Sequence, residues 1–191
     1  KTLALLSLLL ALASGGVAGC HSHRGASSST STTKATTMNS AMIDIPAIKT
    51  WLDRRALSQA QLRELLKPSA DQEDAARSYQ KLKPAAWMHN PAIDAAHYYF
   101  QAEKLVMIYL SDKSVVDLLV PAKLESALGP CPQDHLLRCR AGKTANQYAY
   151  PEVGIAYAVE ADKVRFVEIF PPCSLKEYLG NIYETVGPWR R

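Results

Sequence analysis

Four cysteines, Cys20, Cys131, Cys139 and Cys173, carry the most reactive side chains of this 191-residue chain. Seven residues separate Cys131 from Cys139, which excludes the two-residue spacing of a redox or zinc pair. The spacing does suit a disulfide across a loop or hairpin in an oxidising compartment, where it would contribute about 2–3 kcal/mol. We therefore expect Cys131 and Cys139 to pair, although the sequence leaves open which two of Cys131, Cys139 and Cys173 do so.

The other residues capable of chemistry do not form a recognisable catalytic or metal-binding motif. His89, His97 and His135 lack metal-ligand spacing, and the chain has no glycine-rich phosphate loop, no G-x-S-x-G elbow and no H-E-x-x-H. Catalysis would require distant residues to converge. The candidates are Cys173 with His97 or His135, or an acid pair among Glu103, Asp112, Glu152 and Glu168. The sequence thus predicts no catalytic residue, no metal and no cofactor.

The N-terminus has the parts of an export signal. Lys1 precedes an apolar run that is too short to cross a bilayer, and the run ends in Val17-Ala18-Gly19-Cys20. These four residues resemble the lipobox of bacterial lipoproteins. The resemblance implies that residues 1–19 are a signal peptide, that Cys20 carries a diacylglycerol on its sulfur, and that its new amino group is acylated after cleavage. The only cofactor expected is this covalent lipid, and more than one acyl chain anchors a protein stably.

Residues 20–40 read as a tether between the lipid and a folded domain at 41–191. The segment is rich in serine and threonine with almost nothing apolar to bury, which is typical of disordered chain. His21 stands where an aspartate would favour the inner membrane of enteric bacteria, so we expect the outer membrane, with the domain facing the periplasm.

The charge of the folded part gives no reason to expect a nucleic-acid partner. The chain carries +4 overall, but Lys1, Arg24 and Lys34 precede residue 41 without a single acid. The domain that follows is therefore nearly neutral, with 19 basic against 18 acidic residues. Nucleic-acid binding requires a basic patch that this balance does not supply.

The folded part begins with helices and continues with strands. Helical patterns run over 46–83, where Ser58 is a candidate N-cap, and over 122–128 after Pro121. Segment 115–119 is a short apolar run that could form either a strand or a helix. Strands are predicted at 97–100, 105–110, 146–150, 154–159 and 163–170, and 136–140 also reads as a short strand before a turn.

These elements predict an α+β fold with N-terminal helices, an antiparallel sheet of about five strands and a C-terminal helix capped by Ser174. The helices should cover one face of the sheet. Strand 163–170 does not alternate strictly, which indicates a bulge or burial on both sides.

Tyrosine is in excess, with nine residues against three phenylalanines. Tyr148, Tyr150 and Tyr157 fall on neighbouring predicted strands, either as core packing or as a face for a protein partner. We expect a non-enzymatic binding or scaffolding lipoprotein of the cell envelope, with an envelope protein as partner. The alternatives are an envelope hydrolase with a dispersed active site and an inhibitor or immunity lipoprotein against a periplasmic toxin.

Overall fold

A computed structural model describes residues 44–69, 79, 81–83 and 86–184 of the chain. The chain divides into two units, Lys1–Thr36 and Thr37–Arg191, and all of these residues belong to the second. The predicted signal peptide, the lipobox and the tether lie outside the described residues.

Five helices and seven strands make up the described part of the domain. The helices are α1 (Lys49–Arg54), α2 (Gln59–Leu66), α3 (Lys113–Val116), α4 (Pro121–Leu128) and α5 (Leu175–Asn181). The strands are β1 (Ala86–Asn90), β2 (Asp94–Gln101), β3 (Lys104–Leu110), β4 (Leu136–Arg138), β5 (Asn146–Tyr150), β6 (Ile155–Glu160) and β7 (Lys163–Ile169). Short 3-10 helices lie at Pro46–Ile48, Gln133–His135 and Pro151–Val153.

All seven strands form one antiparallel sheet in the order β1-β2-β3-β7-β6-β5-β4. Strands β1 to β3 form one meander. After α3 and α4 the chain starts again at the opposite edge and returns through β4, β5 and β6, so that β7 pairs with β3. The last strand therefore occupies the middle of the sheet, where a side chain can be buried on either face.

The predicted α+β class and antiparallel sheet are confirmed, but the sheet has seven strands. The additional edge strand is β1. Strand β4 corresponds to the short strand that was expected at 136–140. Strand β1 was missed because its sequence, Ala-Trp-Met-His-Asn, carries two polar residues and no β-branched one. Segment 115–119 forms the short helix α3 and a turn rather than a strand.

Local signals agree with the remaining elements. Ser58 and Ser174 each complete a capping box, with Gln61 and Glu177 as the third helical residues. Helix α2 ends at Lys67 in the left-handed conformation, just before Pro68. The last part of the helical pattern predicted over 46–83 lies mostly outside the described residues, and Lys81 and Leu82 form a turn.

Helices cover both faces of the sheet, so the expected single covered face was wrong. The first face packs against α2, α3 and α4 through one large cluster that includes Leu62, Val116 and Leu124. The second face packs against α5, whose Tyr178 is fully buried beside Phe170. Two-sided burial follows because the central strands carry large side chains in both directions, as the interrupted alternation of β7 indicated.

Strand β7 also contains the predicted bulge. Ala158 pairs with Phe166 but Val159 pairs with Val164, which leaves Arg165 as the extra residue. The bulge turns Val164 towards the first face, while Phe166 and Glu168 point to the second. An acid thereby enters the interior of the molecule.

Candidate functional site

Glu168 lies at the centre of the second face and is 1% exposed. Its cross-strand neighbours are Tyr109 on β3 and Ala156 on β6. Burying a carboxylate is costly unless donors and a cation surround it. Its immediate surroundings supply both, and we take them as the candidate site.

Three side chains donate hydrogen bonds to the Glu168 carboxylate. The Tyr79 hydroxyl reaches Oε1 at 2.8 Å, while the Tyr178 hydroxyl and the Gln147 amide reach Oε2 at 2.7 and 3.0 Å. The same Gln147 nitrogen also donates to the Tyr178 hydroxyl oxygen at 2.6 Å. Tyr79 precedes β1, Gln147 lies on β5 and Tyr178 on α5, so the carboxylate ties together three distant parts of the chain.

Arg140, in the loop after β4, supplies the positive charge. Its guanidinium carbon lies 4.2 Å from the ring centroid of Tyr79, and 5.6 and 5.7 Å from those of Tyr109 and Phe166. This is cation–π distance from all three rings. Burial raises the pKa of Glu168 and the charge of Arg140 opposes that rise, so Arg140 acts on the carboxylate by charge as well as on the rings.

Burial and the close contacts within this cluster shift the pKa values of the carboxyl and of both phenols. Burial raises the pKa of Glu168, whereas the hydrogen bonds from Tyr178 and Tyr79 and the charge of Arg140 oppose that rise. Burial and then the Glu168 charge raise the pKa of both Tyr79 and Tyr178 well above the ordinary value. Both phenols therefore keep their protons at neutral pH and remain hydrogen-bond donors.

A row of rings continues from this cluster towards the β1 edge. Trp87, His89 and His97 stack together, and the two imidazole centroids are 3.9 Å apart. The Trp87 indole N–H donates to His97 Nδ1 at 3.2 Å. Burial, followed by the charge of His89, lowers the pKa of His97 to about 4, so this ring is neutral over the physiological range.

A second buried carboxylate, Asp94, is held on the first face. It forms an ion pair with Arg54 and accepts from Tyr98 and from the Trp51 indole, the last at 2.8 Å. The Ala96 backbone N–H completes the set at 3.0 Å. Because Arg54 and Trp51 belong to α1, this cluster fixes α1 on β2 and has a structural role.

The acids that could have formed a hydrolytic pair do not converge. Glu103 lies in the turn before β3 and Asp112 caps α3 beyond the other end of the same strand. Glu152 is exposed in a 3-10 helix, and Glu168 is enclosed. Among the described residues, no group of three histidine, cysteine or acidic side chains could hold a metal ion.

The predicted cysteine pair is not formed. Cys131, Cys139 and Cys173 are free thiols; Cys131 packs against the cluster of the first face, and Cys139 lies in a small cluster on the second. The edge strand β4 carries the chain between these two environments. Burial, with the nearby acids Glu177 and Glu152, raises the pKa of Cys173 to about 11, the opposite of an activated thiol.

The predicted tyrosine face is largely interior. Tyr157 and Tyr150 are 2% and 6% exposed, and only Tyr148 is half-exposed. The Tyr157 ring stacks on Tyr148 at 5.2 Å and on Tyr150 at 6.1 Å. These exposures agree with the core-packing alternative, because two of the three rings have no surface to offer a partner.

The sequence indicated Glu168 as one of four candidate acids, but it did not indicate the residues that surround it. Its partners Tyr79, Arg140, Gln147 and Tyr178 come from four separate segments, so no local pattern could join them. One feature of the sequence could have indicated a buried cluster around Glu168. This acid lies in an apolar strand that is buried on both sides, and a buried acid requires partners.

Two grooves open on the surface of the described domain. One, of about 490 Å³, lies between residues 44–47 and the α3–α4 region, beside exposed Leu118 and Val120. Another, of about 370 Å³, is lined in part by Lys81, Cys173 and Glu177.

Comparison with protein-family models, curated proteins and solved structures gave no match. Within the part of the domain that the structure describes, no helix has the length and apolarity needed to cross a bilayer.

Proposed function

We propose that this protein is a lipid-anchored lipoprotein of the cell envelope, with a non-catalytic binding or scaffolding role on the periplasmic side of the outer membrane. The observation that carries the proposal is the sequence Val17-Ala18-Gly19-Cys20 directly after a short apolar run. Small residues at 18 and 19 suit a narrow peptidase cleft, and only a thiol can form the thioether to the lipid.

The tether predicted at residues 20–40 fits the same proposal. Serine and threonine dominate this segment, which has almost nothing apolar to bury. We take this composition as support for a tether between the lipid on Cys20 and the domain.

Several features of the domain support binding over catalysis. The enclosed Glu168 carboxylate already accepts three protein hydrogen bonds, and its nearest phenols hold their protons. The Cys173 thiol, with its pKa of about 11, is a poor nucleophile at neutral pH. By contrast, Leu118 is 69% exposed beside an open groove, which is the kind of surface that protein partners use.

The anchor is tested by comparing Cys20→Ala with the wild type and with Cys173→Ala in fractionated cells. We expect wild type and Cys173→Ala in the membrane fraction, extractable only with detergent, because each retains the acylated cysteine. Cys20→Ala should leave that fraction. If Cys20→Ala stays with the membrane as fully as Cys173→Ala, the anchor is wrong.

The binding role is tested against hydrolysis with the purified full chain and its Glu168→Gln variant on cell-wall and peptide substrates. We expect neither protein to cleave them. Turnover by the wild type that Glu168→Gln lacks would replace the binding role with the hydrolase alternative.

A further inference from the structure

An exposed leucine lies directly beside an apolar groove on the described domain. Leu118, between α3 and α4, is 69% exposed and is itself one of the residues that line the groove of about 490 Å³. The groove opens between residues 44–47 and the α3–α4 region, and its buried apolar lining consists of Ile45, Leu119 and Leu124. One surface patch thus carries both a large apolar side chain in solvent and a cavity that accommodates such side chains.

The same groove has an acid on one wall and a base on the other. Asp44 belongs to the wall formed by residues 44–47, Lys123 belongs to α4, and both side chains are exposed. In a two-fold symmetric interface, every contact of one residue with a second is repeated with the two copies exchanged. A two-fold axis through this patch can therefore bring Asp44 of each copy to Lys123 of the other. The patch is complementary to itself in charge as well as in shape.

We propose that this patch is a dimerisation surface and that a second copy of the chain occupies the groove. Leu118 of each copy enters the groove of the other, and Asp44 faces Lys123 across the interface. The inference adds self-association to the proposed function and depends on neither the lipid anchor nor the absence of catalysis.

The mixed charge of the patch favours a second copy over other occupants. An anionic membrane surface would attract Lys123 but repel Asp44 and the exposed Asp117, which directly precedes Leu118. A uniformly acidic or basic peptide would satisfy one wall of the groove and oppose the other. A second copy satisfies both walls, and it supplies the leucine that the cavity receives.

Sedimentation equilibrium of the purified full chain, in a detergent of matched density, measures the dimer dissociation constant of wild type, Leu118→Glu and Leu65→Glu. Leu65→Glu is the matched control, because it places the same charge on a leucine of α2 that is 41% exposed and does not line the groove. We expect wild type to dimerise and Leu118→Glu to weaken the dimer by about tenfold or more, since its charge would be buried in the interface. Leu65→Glu should remain within about twofold of wild type. A monomeric wild type, or equal weakening by both variants, would overturn the proposal.

Charge reversal tests the two-fold arrangement itself. Asp44→Lys and Lys123→Glu should each weaken self-association by about three- to tenfold, because like charges then face each other. An equimolar mixture of the two variants should associate about as tightly as wild type, because both contacts of the mixed dimer again join unlike charges. Mixing cannot rescue an effect that lies within one chain, so the rescue reports contact between copies. A mixture that associates no more tightly than the separate variants would overturn the proposal.

Cys20→Ala separates self-association from the lipid anchor. Because Cys20 lies far from the patch in the sequence, this variant should dimerise within about twofold of wild type. Loss of the dimer in Cys20→Ala would assign the association to the lipid and contradict the proposal. The anchor itself is tested by cell fractionation, so either proposal can fail while the other holds.

Discussion

At the scale of single residues, the molecule depends on how Glu168 is accommodated. The Glu168 carboxylate is buried in the central strand of a sheet that is covered on both faces, and its desolvation must be offset locally. Three donors and Arg140 provide that offset from four separate segments. Glu168 is therefore the point where those segments are joined.

Replacing the Glu168 carboxylate by an amide tests its structural role. Glu168→Gln should lower the free energy of unfolding by about 2–4 kcal/mol, because the new amide N–H faces a donor and Arg140 loses its counter-charge. Urea denaturation measures the change. Glu152→Gln, which alters an exposed acid, should stay within about 0.5 kcal/mol of wild type. Similar stabilities for the two variants would show that the cluster is not a structural centre.

The stacked histidines give a dependence of stability on pH. The pKa of folded His97 is lowered to about 4, from burial first and then from the charge of His89. A lowered folded pKa means that the neutral ring favours folding, so the contribution is complete above about pH 6.5 and declines as the pH falls towards 4. Because the ring is partly exposed, we expect a loss of only about 1–2 kcal/mol over this window.

His97→Gln should remove that part of the pH dependence. The difference in unfolding free energy between wild type and variant, measured by urea denaturation from pH 7 to pH 4, should shrink as the pH falls. His135→Gln is the control, since His135 lies outside the stack with its Nδ1 3.0 Å from the Ala149 carbonyl oxygen. A difference that is constant with pH would refute this account of the stack.

At the scale of elements, the helices depend on short local signals that the sequence displays. The capping box at Ser174 orients the start of α5, and α5 in turn delivers Tyr178 to Glu168. Ser58 has the same part in α2, whose Leu62 and Leu66 enter the core of the first face.

Removing either cap should therefore have a similar, moderate cost. Ser174→Ala and Ser58→Ala should each lower the free energy of unfolding by about 1 kcal/mol, because a backbone N–H of the first turn loses its acceptor. Ser126→Ala, an exposed serine inside α4, should change stability little or raise it slightly. Thermal or urea unfolding of the three variants checks this, and a Ser174→Ala value equal to that of Ser126→Ala would contradict it.

Local patterns predicted much of the fold. Strand 146–150 was placed with its observed limits, and the β2–β3 and β6–β7 hairpins and helix α5 followed from residue types. The bulge in β7 was one of two alternatives for its broken alternation, and the structure has both the bulge and burial on both sides. Both hairpin turns place two non-glycine residues at positive φ, at 102–103 and 161–162. The sequence did not predict that the second face is covered. The polar residues on that face, Gln147 and Glu168, form hydrogen bonds with residues far away in the chain, which no local pattern shows.

The candidate site was predictable only in part, for the same reason. Glu168 was among the acids considered, but nothing local links it to Tyr79 or Arg140. The expected pair of Cys131 and Cys139 failed because sequence spacing gives a loop length and does not show on which side of a sheet edge each thiol lies.

At the scale of the whole molecule, the chain folds into two meanders that meet in the middle of one sheet. Strand β7 joins the two meanders, because it pairs with β3 on one side and with β6 on the other. Its Glu168 therefore lies between residues from both meanders. We propose that this domain is held at the outer membrane by lipid on Cys20 and presents its surface to a protein partner. The proposed cellular role depends on this anchor.

The most direct test is the mass of the N-terminal peptide of the mature protein, isolated from cell membranes and analysed by mass spectrometry. We expect a peptide that begins at Cys20 and carries a diacylglycerol together with an N-linked acyl group. A mature protein that begins at another residue, or a Cys20 with an unmodified thiol, would contradict it.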